Sequence, residues 1–216
     1  MPRLSIETEV VRVLSILRFC GEPNKQLTFL TEDYYTHAIS SQLKLQKVDF
    51  WLRYPDHFAM ALMHGCRQGG ELVHRRDEIK DIVRRIFFNR EPQLRCVPMR
   101  RYIHGAYEPL DTVLSFLSSR WLAYHRAMEG GRRTEYRLTQ KGCDAIESIL
   151  AQCPLSIWYA ERCRLINSFY GDLGGEDLRE LQYVEPAYRN TSVLSTIPRI
   201  ESAVRARFQQ LYGEPL

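Results

Sequence analysis

Hydrophobic residues recur three and four positions apart along most of the chain, which is the pattern of amphipathic helices. Residues 89–109 lack this period and are predicted to be irregular, with a strand near Val97–Ile103. A short strand is predicted at Leu27–Leu30. The helices predicted from the period are Glu7–Cys20, Leu43–Arg53, Pro55–Met63, Asp77–Phe88, Pro109–Ser119, Gly142–Cys153, Pro154–Tyr170, a short one within Gly171–Tyr183, and Pro198–Tyr212.

The stretch WLAYHRAMEGGRRTEYRLTQKG, Trp121 to Gly142, breaks this pattern. Alternating positions on both sides of a Gly-Gly turn predict two strands, and Thr139 is placed to cap the following helix. A helix, a hairpin with a basic turn and a second helix are typical of a winged-helix domain. The predicted fold is mainly α with a small β wing. Its winged-helix core covers 41–153, between an N-terminal helical segment (1–40) and a C-terminal helical extension (154–216).

The predicted wing carries cations that can hold DNA phosphates without reading sequence, a salt-sensitive mode of binding. Sequence-specific binding is not expected, because the helix before the wing exposes Asp111 and small hydroxyl residues where a base reader has Arg, Lys, Asn or Gln. A wing that faces solvent or a protein partner is an equal alternative. The candidate phosphate contacts are Arg126, Arg132, Arg133, Arg137 and Lys141.

Two apolar regions are candidate partner surfaces. The first helix has only a narrow polar stripe, so the chain's own core or another chain must cover it. The C-terminal region offers large aromatic side chains, which dominate interface energies, although these can also pack on the chain itself. The candidate contacts are Val10, Leu14, Leu17, Trp158, Tyr159, Phe169 and Tyr170.

Composition places the chain among ordinary globular proteins, with 44% hydrophobic and 26% charged residues among 216. No apolar run approaches the roughly 20 residues of a membrane-spanning helix. Glu7 and Glu9 stand where a signal peptide would be positive, so a cytoplasmic location is expected. The six cysteines lack metal-ligand spacing and are predicted to be buried free thiols; no metal or other cofactor is expected.

Familiar catalytic motifs are missing from the sequence: no P-loop, nucleophile elbow or zinc-protease pattern is present. Asp56 with Glu78 and Lys80 resembles the metal site of a restriction-type nuclease. That site needs carboxylates that converge on a metal ion, whereas DEIKDIVRRIFF has a helical period that points Glu78 and Lys80 apart. His57 and His64 are interpreted as ordinary histidines. The chain is therefore expected not to be an enzyme.

Charge is concentrated between His74 and Arg101, where nine Lys/Arg face four Asp/Glu. Such a basic island suits nucleic acid, and it equally suits a solvated helix face.

The stretch KLQKVDFWLRYPDHFAMALM, Lys44 to Met63, resembles the LQKLDFLLRYPDYLA-type segment of the middle components of bacterial ABC three-component defence systems, of which the Lamassu type is the best known. The resemblance implies a non-enzymatic adaptor subunit that sits with an SMC-like ABC ATPase and an effector, often a nuclease. The matching residues are Leu45, Gln46, Lys47, Asp49, Phe50, Leu52, Arg53, Tyr54, Pro55, Asp56 and Ala59.

The same motif has a physical interpretation. A residue before proline is pushed out of the helical region, so Tyr54-Pro55 predicts a tight joint between two helices. A role in the fold is favoured over direct partner contact. The residues assigned to this joint are Lys47, Asp49, Phe50, Arg53, Tyr54, Pro55 and Asp56.

The leading hypothesis is therefore an adaptor of an SMC-like ATPase in anti-phage or anti-plasmid defence. It includes contact with double-stranded DNA without sequence preference, and neither a membrane nor a small-molecule substrate. The alternative is a free-standing winged-helix transcription regulator, which would dimerise and bind a pseudo-palindrome.

Overall fold

The computed structural model describes residues 5–25, 34–67, 70–131 and 133–216. The described chain is mainly helical with small antiparallel sheets, which confirms the predicted fold class at that level. The predicted strand Leu27–Leu30 lies outside the described residues. The helices are α1 Ile6–Cys20, α2 Gln42–Arg53, α3 Pro55–Gly65, α4 Arg76–Phe88, α5 Glu91–Leu94, α6 Asp111–Ser119, α7 Gln140–Gln152, α8 Pro154–Tyr170, α9 Gly175–Tyr183, α10 Pro186–Arg189 and α11 Glu201–Tyr212.

The strands form two antiparallel sheets. The larger sheet has the order β1-β2-β6-β5, and the smaller one pairs β3 with β4. In the larger sheet, Leu138 lies opposite His37 on one side and opposite Ala123 on the other. The strands are β1 Glu22–Pro23, β2 His37–Ile39, β3 Arg100–Tyr102, β4 Gly105–Tyr107, β5 Ala123–Met128 and β6 Arg133–Leu138.

Local sequence signals account for where several helices begin. The Ser5 hydroxyl accepts a hydrogen bond from Thr8 N at the start of α1, and the Thr139 hydroxyl accepts one from Gly142 N at the start of α7. Pro55 and Pro154 occupy the first turns of α3 and α8, where a missing N–H is harmless. Tyr54 is non-helical, with φ −130° and ψ 74°, so the predicted joint between α2 and α3 is confirmed.

The chain forms two compact units, each built from separated stretches. The first comprises residues 1–49 and 108–176, and the second comprises 50–107 and 177–216. These units are composed differently from the three predicted segments, 1–40, 41–153 and 154–216, because each unit takes residues from distant parts of the sequence.

Helix α1 is the centre of the first unit. It packs most extensively on α8 and also contacts α6, α7, β2 and β6. Leu14, Ile16 and Leu17 are fully buried there, which accounts for the nearly continuous apolar surface of this helix.

The second unit is organised around α3, which packs on α4 and α11. Helix α4 contributes Ile79, Ile82, Val83 and Ile86 to the core while its charged residues face outward, as its period predicts. An aromatic cluster adds to this core: the Phe50 ring lies 4.7 Å from that of Tyr54 and 5.1 Å from that of Tyr188, centroid to centroid.

Candidate functional site

The predicted hairpin is confirmed as β5 and β6, which pair in register from Ala123 opposite Leu138 to Met128 opposite Arg133. The turn between them includes Gly130 and Gly131, both with positive φ. This left-handed backbone favours glycine, which is why the Gly-Gly pair marks the turn. We call residues 123–138 the hairpin.

Three of the predicted phosphate contacts lie on the exposed surface of the hairpin or beside it. Arg126 and Arg133 are exposed on the two strands, and Lys141 is exposed in the first turn of α7. Arg133 Nη2 donates to Ser40 O at 3.4 Å. Arg132 lies outside the described residues. Arg126, Arg133 and Lys141 are each reachable from solvent.

Arg137, the remaining predicted contact, lies inside the fold. Its Nε lies 2.5 Å from Glu135 Oε2, and its guanidinium lies 4.3 Å from the centre of the Tyr35 ring. β6 is a central strand flanked by β2 and β5, and its last three residues are all buried. The prediction that Arg137 faces phosphate is corrected, because the guanidinium is shielded from solvent and paired with a carboxylate.

Helix α6, which precedes the hairpin, exposes most of the side chains that the sequence predicted, whereas Ser118 is half-buried and donates to Ala123 O. Asp111, Thr112, Ser115 and Ser119 are exposed, while Val113 and Leu117 are buried. A surface of one carboxylate and small hydroxyls offers no bidentate donor to a guanine and no amide to an adenine. The exposed Arg120 follows at the C-terminal end of this helix.

The segment Lys44–Ala59 is the most continuously buried stretch among the residues that the structure describes. Every residue from Lys44 to Ala59 is buried. Five of these residues are charged: Lys44, Lys47, Asp49, Arg53 and Asp56. Charged side chains are almost never fully buried without a partner, so their contacts determine what the segment does.

In the first unit, the buried charges tie α2 to other elements. Arg12 Nε of α1 lies 2.6 Å from Asp49 Oδ1. Lys44 Nζ donates to Gly171 O at 2.8 Å, at the end of α8. Gln46 binds Glu108 twice: Nε2 donates to Glu108 O at 2.7 Å, and Oε1 accepts from Glu108 N at 3.0 Å.

In the second unit, the rest of the motif holds two irregular segments. Arg53 donates to Val97 O at 3.2 Å and to Pro98 O at 3.1 Å. The Tyr54 hydroxyl accepts from Met99 N and donates to Ile197 O, both at 3.0 Å. Burial raises the pKa of Tyr54 to about 12, so this hydroxyl stays protonated.

The next two motif residues hold the entry to α11. Asp56 Oδ2 accepts from Ile200 N at 2.7 Å, and His57 Nε2 lies 2.9 Å from Pro198 O. Because a carbonyl only accepts, Nε2 must carry the proton. Burial lowers the pKa of His57, an effect that the Asp56 carboxylate opposes. These contacts give the motif an architectural role in this fold.

The nuclease-like residues do not form a metal site. Asp56 binds the α11 entry, Glu78 pairs with Arg75 at 2.7 Å, and Lys80 pairs with Glu214. Across the described ranges, no group of three or more His, Cys, Asp or Glu could hold a metal ion. His64 is half-buried, and burial with the nearby Arg67 lowers its pKa.

The predicted partner surfaces are largely covered within the first unit. Val10, Leu14 and Leu17 are buried in the core around α1, so the chain itself provides the cover that the apolar helix needs. Tyr170 is also buried, so these four residues are corrected from partner contacts to core residues. Trp158, Tyr159 and Phe169 of α8 are half-buried and stay candidate contacts.

Sequence reasoning missed a polar cluster that joins α1, β2 and α7. Arg18 Nη1 lies 3.0 Å from His37 Nε2, and Arg18 Nη2 lies 3.1 Å from Glu147 Oε1. Because arginine only donates, His37 must accept at Nε2 and carry its proton on Nδ1, which lies 3.9 Å from Cys143 Sγ. Burial raises the pKa of Cys143, so this thiol is not activated as a nucleophile, and burial lowers the pKa of His37.

The cysteines are free, as predicted, and all but Cys96 and Cys153 are buried. Cys153 is exposed at the joint between α7 and α8, which corrects the prediction of burial there. In the part of the chain that the structure describes, no helix combines the length and apolarity needed to cross a membrane.

Comparison with known proteins found no match: no family model, curated protein or solved structure resembles this chain closely enough to be significant.

Proposed function

We propose that the chain is a winged-helix adaptor subunit of an SMC-like ABC ATPase complex in defence against phage or plasmids. In this role it links the ATPase to an effector, and its hairpin contacts the phosphates of double-stranded DNA without reading sequence. The resemblance of Lys44–Met63 to the middle components of ABC three-component systems carries the assignment to this complex.

The topology of the first unit supports the winged-helix part of the proposal. Along the chain it has helix α1, strand β2, the first part of α2, helix α6, and then the hairpin. In winged helices the strand after the first helix pairs with the last strand of the hairpin, and here β2 pairs with β6. Residues 50–107 are then an insertion between the second and third helices of the winged helix.

The contacts of the motif support the adaptor part. Its buried charges bind α1 and the end of α8 within the first unit and hold the α11 entry within the second. A motif with such contacts specifies a fold. Subunits that have the same fold can occupy the same position in related complexes, which is how the motif supports an adaptor role. The proposal of DNA contact rests on the exposed Arg126, Arg133 and Lys141.

The test is co-expression with the neighbouring gene products, followed by size exclusion and mass measurement of the material that stays together. Co-elution with a large ATPase in a defined ratio is expected. Elution as a lone symmetric dimer would contradict the proposal and favour the transcription regulator, whose dimer binds two half-sites.

A matched pair of variants shows which surface makes the contact. Leu155 and Ile157 are exposed apolar residues of α8, next to Trp158. Leu155→Asp with Ile157→Asp is expected to reduce co-elution, because charges in an apolar interface lose their solvation. Ile103→Asp is the control, since Ile103 is 78% exposed in the second unit. Equal loss in both proteins would contradict an interface at α8.

A further inference from the structure

Trp121 is displayed to solvent between α6 and the hairpin. Its side chain is 71% exposed, whereas Trp51 is fully buried and Trp158 is half-buried. Its φ of 54° is left-handed, a conformation that L-residues with large side chains avoid. Trp121 precedes β5, so the alternating pattern of that strand does not explain a tryptophan at this position.

Backbone contacts on both sides fix the position. Trp121 N donates to Ser118 O at 3.0 Å, and Leu122 N donates to Leu117 O at 2.9 Å. Trp121 O accepts from the Thr139 hydroxyl, the cap of α7, at 2.7 Å. These hydrogen bonds fix the backbone of Trp121 in a conformation that leaves the indole exposed to solvent.

Two exposed cations lie close to Trp121 along the backbone: Arg120 precedes it, and Lys141 follows Thr139, whose hydroxyl donates to Trp121 O. Arg120 is exposed, and its guanidinium lies 4.2 Å from the centre of the Phe116 ring. Lys141 is exposed two residues after Thr139, in a first helical turn that has no acidic residue. An exposed aromatic ring with exposed cations on neighbouring stretches of backbone suits a ligand that offers both a flat ring and negative charge.

We propose that Trp121 is a stacking platform for an unpaired base of single-stranded DNA, with Arg120 and Lys141 at the neighbouring phosphates. Base–aromatic stacking tolerates any sequence, which agrees with an α6 surface unable to read base edges. The positive charge favours DNA over an apolar protein partner. This inference rests on the proposed contact between the hairpin and DNA, and extends it from duplex phosphates to unpaired bases.

The test is a titration of the purified full chain with a short oligothymidylate and with a blunt duplex of equal length, followed by tryptophan fluorescence and by anisotropy of labelled DNA. Oligothymidylate is expected to quench the fluorescence, and Trp121→Ala to abolish the quenching. The same variant should bind oligothymidylate roughly tenfold more weakly, as expected for the loss of one stacked base, and duplex less than about twofold more weakly.

Three variants control this experiment. Trp121→Gly adopts the left-handed backbone without strain and should reproduce Trp121→Ala, which separates lost stacking from misfolding. Trp121→Phe keeps a ring and should retain most of the affinity. Ile103→Ala removes an apolar side chain that is 78% exposed in the second unit and should change nothing.

Unchanged affinity of Trp121→Ala for oligothymidylate, with duplex binding intact, would overturn the stacking site and leave the phosphate contact standing. Failure of the native chain to bind either DNA would overturn both. Quenching only on addition of the co-expressed ATPase, and not of DNA, would overturn the stacking site in favour of a protein contact. Co-elution with the ATPase tests the adaptor role separately.

Discussion

The segment Lys44–Ala59 and the hairpin are both rich in charge, but they use it in opposite ways. The segment buries all five of its charged side chains and binds four of them to carbonyls, a guanidinium and a backbone amide. The hairpin exposes Arg126 and Arg133, and among its charged side chains that the structure describes it buries only Arg137. Charge inside the segment fixes the fold, and charge on the hairpin is accessible to a partner. The buried charges of the segment therefore specify architecture, whereas the exposed charges of the hairpin can specify a contact.

The largest effect is expected from breaking the Arg12–Asp49 pair. Asp49→Ala leaves a buried guanidinium without its carboxylate and should lower the free energy of unfolding by about 3–5 kcal/mol. Urea denaturation measures this loss. The double variant Arg12→Met with Asp49→Leu removes both charges and should recover most of the stability.

A second ion pair provides the matched control. Glu147→Ala removes the partner of Arg18, another α1 residue, but these side chains are 57% and 29% exposed. Solvent screens such a pair, and the expected loss is at most about 1 kcal/mol. Equal losses for Asp49→Ala and Glu147→Ala would contradict the distinction between buried and exposed charge.

A smaller effect is expected at the joint between α2 and α3. Tyr54→Phe deprives Met99 N of its acceptor and Ile197 O of its donor, and unmade buried hydrogen bonds cost about 1–3 kcal/mol. Urea denaturation should show this loss. Tyr212→Phe removes a hydroxyl that donates to Arg76 O at a half-exposed position, so it should cost less. A costlier Tyr212→Phe would contradict the joint's role.

Acid should destabilise the chain through its buried histidines. The pKa of His57 is lowered in the fold from 6.5, mainly by burial, so the unfolded chain takes up protons first as the pH falls. The stability that the neutral His57 contributes is fully present above pH 6.5 and is lost progressively as the pH falls below that value. Urea midpoints at neutral and mildly acidic pH measure this loss, which His57→Gln should make shallower. An unchanged pH dependence would exclude His57 as a cause; His37 and His64, with lowered pKa values, would then account for the slope.

The smallest effect is expected on the hairpin surface. Arg133→Gln should leave stability unchanged and reduce the slope of log K against log salt for duplex DNA by about 0.9, the value for one lost phosphate contact. Arg205→Gln, on α11, is the control, since its side chain is 47% exposed in the second unit. The same change in slope for both variants would show that the hairpin has no special role.

Helices were predicted well because their signals are local. The apolar period and the caps placed α1, α2, α4 and α8 within one residue of their observed bounds. Strand β2 escaped prediction because three residues are too few to display an alternation. Its pairing with β6 joins residues about a hundred positions apart, and no local pattern encodes that contact.

The candidate site was predicted only where its position depends on local structure. The turn and cap of the hairpin follow from Gly130, Gly131 and Thr139. The burial of Arg137 does not follow from nearby residues, because it depends on the pairing of β2 with β6. The Arg12–Asp49 pair likewise joins different helices, and spacing along one helix cannot reveal it. Trp121 was not predicted as a binding residue, because its solvent exposure and its positive φ are properties of the folded structure that no local residue pattern indicates.

The first unit combines two stretches that are far apart in the sequence, and this affects how the chain folds while it is being synthesised. Helix α1 ends at Cys20, and α8, which covers it, begins only at Pro154. At typical translation rates the ribosome needs on the order of ten seconds to make the intervening chain. Throughout that interval the apolar surface of α1 emerges without its final cover, a condition that favours chaperone binding or early association with another subunit.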